Sequence, residues 1–174
     1  MIDPAWRRIA GIHAMNDGEI GAVWLAHDTI ADVTHLYDAA LFKREVLAVV
    51  GEGISARGRW IPLAWHKDAK EFADKLLERG INVLPEPCSG NQSMAEVISR
   101  EIWQRMRTSR FRVAAGVAEW LEEFRTFYRD GAKVPLDSHP LMAATRHAIE
   151  MLAYARPEQM PGSKRPNHPK IRVI

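Results

Sequence analysis

The stretch Gly58 to Asp68, GRWIPLAWHKD, joins an apolar run to a carboxylate in a way that could support chemistry. Ile61 to Trp65 is bounded by Gly58 and by charge, as a buried central strand would be. Asp68 follows the carboxyl end of that run, where open α/β sheets place their sites. The competing role for Asp68 is to cap a following helix over Ala69 to Arg79. A second group of interest is Arg105, Arg107, Arg110 and Arg112, which surround Thr108 and Ser109. Guanidinium forks beside hydroxyls suit phosphate contacts, although a solvated basic face reads the same way.

These residues need a fold to hold them, and composition limits which. A chain of 174 residues with 47% hydrophobic and 26% charged residues fits one soluble globular domain with a substantial core. No apolar run is long enough to cross a membrane, so no membrane partner is expected. The opening residues, MIDPAWRR, lack the apolar segment and cleavage site of a secretion signal. The single cysteine, Cys88, excludes an internal disulfide framework and argues against a cysteine-rich zinc site. An intracellular setting follows. The net charge of +2 neither requires nor forbids a polyanionic partner.

Trp6 to His13 and Gly21 to His27 read as two strands joined by the turn Asn16-Asp17-Gly18, and Asp32 to Ala40 reads as a third. Together they predict an antiparallel meander. The pattern then alternates: a helix over Phe42 to Val50 stopped by Gly51 and Gly53, the strand Ile61 to Trp65, a helix to Arg79 ended by Gly80, and a strand Ile81 to Leu84. Ser93 and Glu96 stand at capping-box spacing ahead of a helix reaching Met106. A short RFRV segment follows. Val117, Trp120, Leu121, Phe124 and Tyr128 form a helical stripe that reads as core rather than as a base-stacking platform. The last helix runs from Leu141 to Ala155, with Asp137 or Ser138 near its cap and Pro140 in its first turn. The expected division is a domain over residues 1–155 and a basic, proline-rich mobile tail over 156–174.

The phrases GRWIPLAWHKD, INVLPEP, SMAEVISREIWQRMRTSRFRV, WLEEFRTFYRDGAKV and LMAATRHAIEML occur in this order, over most of Trp6 to Tyr154. In them the sequence resembles the carboxyl-terminal nuclease domain of phage terminase large subunits. The resemblance implies an α/β fold: an RNase H-like mixed sheet, with an antiparallel three-strand meander plus crossover strands, flanked by helices. It implies an endonuclease that cuts viral DNA during packaging in the cytoplasm of a bacterial host, using Mg²⁺ or Mn²⁺ held by aspartates. Two such ions generate a nucleophile and neutralise the leaving oxygen, and hard ions take carboxylates from separate strand ends.

Residue by residue, the match is partial. The family's first aspartate follows a Gly-Ile pair on strand one, and here His13 stands there. The second matches Asp68. The third belongs beside the Leu-Met pair of the last helix, where this sequence has His139, Pro140 and Ala143. With one of three carboxylates retained, an impaired nuclease is expected. A rescue would bring in Asp17 or Glu19, or let His13 and His139 hold a softer ion such as Zn²⁺ or Mn²⁺. The 174 residues contain no GxxxxGK[ST] phosphate loop, so ATP-driven pumping would fall to a separate terminase ATPase chain. The partners implied are double-stranded DNA, that ATPase, and a small terminase or portal. The alternatives are a non-catalytic DNA- or partner-binding module, or a prophage remnant.

Overall fold

The computed structural model describes residues 2–127, 133–136 and 138–158. Tyr128, the Asp137 cap and tail residues 159–174 lie outside the described residues. Strand β1 (Arg7–Ala14) turns at Asn16–Gly18 into β2 (Glu19–Asp28), which pairs with β3 (Val33–Lys43). Both pairings are antiparallel, so the expected meander is present. The first turn forms because Gly18 takes a φ of 90° and the Asp17 carboxylate accepts a hydrogen bond from the Glu19 amide at 2.9 Å. Asp17 therefore serves the hairpin.

Five strands form the sheet in the order β4-β1-β2-β3-β5, with β4 (Leu63–Ala64) parallel to β1 and β5 (Phe111–Val113) parallel to β3. The apolar run Ile61 to Trp65 is thus not the centre of the sheet. Its two-residue strand lies at the edge beside β1, and β2 occupies the middle. Pro62 has no N–H to give a ladder, and the outer side of the run is covered only by isolated bridges, Leu63 to Val83 and His66 to Cys88. The strand expected over Ile81 to Leu84 reduces to the first of those bridges.

Helix α1 (Leu47–Ser55) also differs from expectation. Leu41 to Lys43 stay in β3 because Lys43 pairs with Glu19 and Phe42 with Ile20, which outweighs local helix preference. Gly51 and Gly53 fall inside the helix, where Gly53 lets the Phe42 ring approach. Helix α2 (Lys70–Glu78) follows a single 3₁₀ turn at Lys67–Ala69, and Gly80 ends it at a φ of 77° as expected. Helix α3 (Gln92–Arg107) is capped by Asn91, whose side chain accepts from the Met94 amide at 2.8 Å. Glu96 instead accepts from the Val134 amide at 2.6 Å, so the Ser93/Glu96 capping box does not form.

Helix α4 (Ala118–Thr126) buries Trp120 as the aromatic stripe predicts. Helix α5 (Pro140–Glu150) is buried along residues 140–149. It lies on β1 and β2 at two glycines: a Cβ on Gly11 would overlap the Ala144 carbonyl, and one on Gly21 would overlap the backbone of Pro140. Ala144 and Ala148 are fully buried, and their small side chains allow the helix to sit this close to the strands. Its N-cap is His139, directly after Ser138. On the other face, Arg57 lies over the Trp24 ring at 4.5 Å and bonds Asp38 at 2.6 Å. After α5, Arg156 pairs with Arg8 through two backbone hydrogen bonds, and Glu158 meets Arg8 at 2.9 Å.

Candidate functional site

Two parallel strand ends define a crevice. His13 closes β1, and His66 and Asp68 follow β4, so all three sit at carboxyl ends of neighbouring parallel strands. Helix α5 contributes Arg146, His147 and Glu150, and Ser89, Gly90 and Asn91 line the cavity as well. The cavity between them has a volume of about 100 Å³. Gly90, at a φ of 61°, packs against the His66 ring so closely that a Cβ there would overlap it.

Three imidazoles stand together in the crevice. His13 and His147 share a hydrogen bond from Nδ1 to Nε2 at 3.1 Å, and the rings of His13, His66 and His147 stand 5.3 to 5.7 Å apart. His147 is held well below its ordinary pKa, first by burial and then by His13, Arg146 and His66. Burial pushes the Cys88 thiol well up, and Glu150 adds to that. Asp68 is 76% exposed and lies 3.6 Å from His66 Nδ1. It does not cap α2; the His66 ring accepts from the Asp68 amide instead, at 3.3 Å. Glu150 accepts from the Ser89 amide at 2.8 Å.

The residues expected at the site divide. His13 and Asp68 line the crevice together. Ala143 is fully buried and does not line it, whereas His147, one turn later on α5, does. His139 faces elsewhere, edge-on to Phe127 and 2.7 Å from the Ser138 hydroxyl. Asp17 is engaged in its turn, and the Glu19 backbone amide completes that turn. Cys88, His66, His147 and Glu150 are additions that the sequence alone did not single out. The spacing of His147 and Glu150, three apart on one helix, was the available signal.

A pair of Mg²⁺ ions needs converging oxygen ligands. Among the described residues the oxygen donors of the crevice are the exposed Asp68, the part-buried Glu150, which already holds a backbone amide, and the neutral side chains of Ser89 and Asn91, against three imidazoles; Glu71, in the adjoining pocket with Asp68, is paired with Lys75. This donor set does not fit two hard ions.

The arginine cluster lies at the opposite end of the sheet. Arg110 gives its carbonyl to the Thr34 amide, and Thr34 is in the same cross-strand row as His27 and Arg7. His13 is six residues along β1 from Arg7, a distance of roughly 20 Å at strand rise. Arg105 and Arg110 both bond Asp32, at 3.0 and 2.9 Å, and Arg105 also bonds Glu101 at 2.9 Å. The hydrogen bond from Arg105 is the largest cause holding the Asp32 carboxyl below its usual range. Arg107 stacks over Trp103 at 4.8 Å, and Arg112 bonds the Ser109 carbonyl at 3.2 Å.

A mixed five-strand sheet with a meander, crossover strands and a central buried helix is the RNase H-like α/β fold, in the form found in large terminase nuclease domains. The P22 large terminase nuclease domain superposes with a TM-score of 0.81 at 21% identity, covering 91% of this chain and 87% of that one. The large terminase of a thermophilic bacteriophage, in complex with ADP, gives 0.72 at 11% identity over 88% of this chain, which spans only 41% of that protein. The nuclease domain of the bacteriophage SPP1 large terminase, with bound Mn, gives 0.67 at 15% identity, covering 83% and 86%. No protein-family model matches the sequence, and no curated protein does. Among the described residues, no helix is long and apolar enough to cross a membrane.

Proposed function

We propose that this chain is the nuclease-fold module of a terminase large subunit, engaging double-stranded DNA during viral packaging in a bacterial cytoplasm beside an ATPase chain. It does so without the family's Mg²⁺-dependent cleavage. The observation that carries this reading is the P22 superposition across nearly the whole chain, combined with a crevice that sets three imidazoles beside two carboxylates where a pair of hard ions needs converging oxygens. DNA lies across the crevice end of the sheet. Lys43, the last residue of β3, Arg44 after it, and Lys67, next to Asp68, are exposed and make no ion pair among the described residues. The cluster Arg105, Arg107, Arg110 and Arg112 is a secondary contact, since Arg105 and Arg110 are occupied by Asp32.

Duplex binding measured over a salt series tests this. Replacing Lys43, Arg44 and Lys67 by alanine is expected to weaken binding and to reduce the log–log salt slope by about 2 to 3, one counterion for each phosphate no longer neutralised. An unchanged slope, with the weakening found instead in Arg107→Ala and Arg112→Ala, would move the DNA to the other end of the sheet. A chain with no salt-dependent duplex affinity would overturn the reading.

A further inference from the structure

Two residues of the crevice, His147 and Glu150, also belong to a tighter group with the buried Cys88. Cys88, His147 and Glu150 each place one ligand atom so that all three atoms lie within 4.8 Å of one another. His147 and Glu150 are three apart on α5, so they project from one face of the helix. Cys88 is brought to that face by backbone pairing: its amide bonds the Trp65 carbonyl at 2.8 Å, and the next amide, of Ser89, bonds Glu150 at 2.8 Å. The Cys88 thiol already points at α5, with Sγ 3.6 Å from the His147 carbonyl oxygen. His13 fixes the His147 ring through one of its nitrogens, as a partner behind a metal-bound histidine commonly does.

We propose that Cys88, His147 and Glu150 bind one divalent transition-metal ion of the Zn²⁺ type. Thiolate, imidazole and carboxylate are the ligands such ions take, and Mg²⁺ does not compete for a sulfur and a nitrogen. The charges balance: one thiolate and one carboxylate cancel a divalent cation, while the imidazole stays neutral, and the thiol proton leaves to solvent on binding. Tetrahedral coordination at 2.0 to 2.3 Å sets ligand–ligand separations of about 3.3 to 3.8 Å. Side-chain adjustments of roughly 1 Å reach this from the observed spacing. Three protein ligands leave a fourth position for a solvent or phosphate oxygen. This site uses neither Asp68 nor any of the carboxylate positions expected from the family, and it stands whether or not the chain acts in packaging.

Cobalt reports the site directly, because Cys88 is the sole cysteine and a thiolate on Co²⁺ gives a near-ultraviolet charge-transfer band that imidazoles and carboxylates do not. The full chain, freed of metal by a chelator, is titrated with Co²⁺. One equivalent is expected to give that band with visible bands of tetrahedral intensity, all erased by Zn²⁺. Cys88→Ser is expected to remove the charge-transfer band, and Glu150→Gln to weaken binding by about 10-fold or more. Asp68→Asn is expected to change neither. Where Cys88→Ser does not fold by circular dichroism, Glu150→Gln decides, and unchanged affinity overturns the site. Absence of Co²⁺ binding, or visible bands without charge transfer that persist in Cys88→Ser, also overturns it, the latter assigning the ion to His13 and His66. Duplex affinity measured on the same samples keeps the two readings separate, since loss of metal binding with DNA binding intact counts against this site alone.

Discussion

The two ends of the sheet treat charge in opposite ways. At the amino end of β3, Arg105 and Arg110 close on Asp32, which itself sits at a φ of 49° in the turn between β2 and β3. At the carboxyl end of β1 and β4, Asp68 is exposed, Lys67 and Arg44 make no ion pair among the described residues, and three imidazoles crowd a small cavity. The first end stabilises a turn by cancelling its own charge. The second keeps cations and donor atoms available to a ligand. Under the proposed reading, counting arginines along the sequence points to the other end of the sheet from the DNA, because a guanidinium that is already paired must break that pair before it can hold a phosphate.

The largest effect is expected where close packing builds the crevice. Gly11→Val would drive a side chain into the Ala144 carbonyl and the Ala148 methyl. The expected cost is about 3 kcal/mol, measured by urea denaturation, because backbone on both sides must shift. Cobalt and duplex binding should fall with it, since α5 carries His147 and Glu150.

A far smaller effect is expected at the other end. Asp32→Asn should cost under about 1 kcal/mol, because the carboxylate is half-exposed and its pairs with Arg105 and Arg110 are screened. Duplex affinity should change by less than about twofold; a larger rise would make the freed arginines the DNA contact. The pH dependence has a definite sign. Arg105 holds the folded carboxyl below the unfolded value of about 3.9, so its contribution is present above that pH and is lost as pH falls through the lower, folded pKa. The gap in stability between the unmodified chain and Asp32→Asn should therefore be constant near neutrality and close below about pH 4.

Much of the frame was legible because local signals agreed with the fold. Asn16 to Gly18 marks its turn chemically, Gly80 ends α2 where its φ requires, and the alternation after β3 predicts crossover strands. Differences arose where partners distant in sequence decided the outcome. Phe42 and Lys43 look helical alone and are held in β3 by Ile20 and Glu19. Arg156 looks like the start of a tail and is tied to Arg8. At the site, Asp68 stood out because an apolar run points to it. His147 did not, since nothing within α5 tells which of its fully buried faces meets β1; that depends on Gly11 and Gly21 admitting the helix backbone. Cys88 and His66 are joined to each other by an isolated bridge and both meet His147 of α5, and no local pattern in either segment announces these contacts.

Nicking of supercoiled plasmid tests the central claim most directly, namely that this crevice has the wrong donors for two hard ions. With Mg²⁺, the unmodified chain is expected to relax no more plasmid than buffer does, and Asp68→Ala should behave identically, because one exposed carboxylate cannot assemble the ion pair. Robust Mg²⁺-dependent nicking that disappears in Asp68→Ala would contradict the account and restore Asp68 to a working two-ion site.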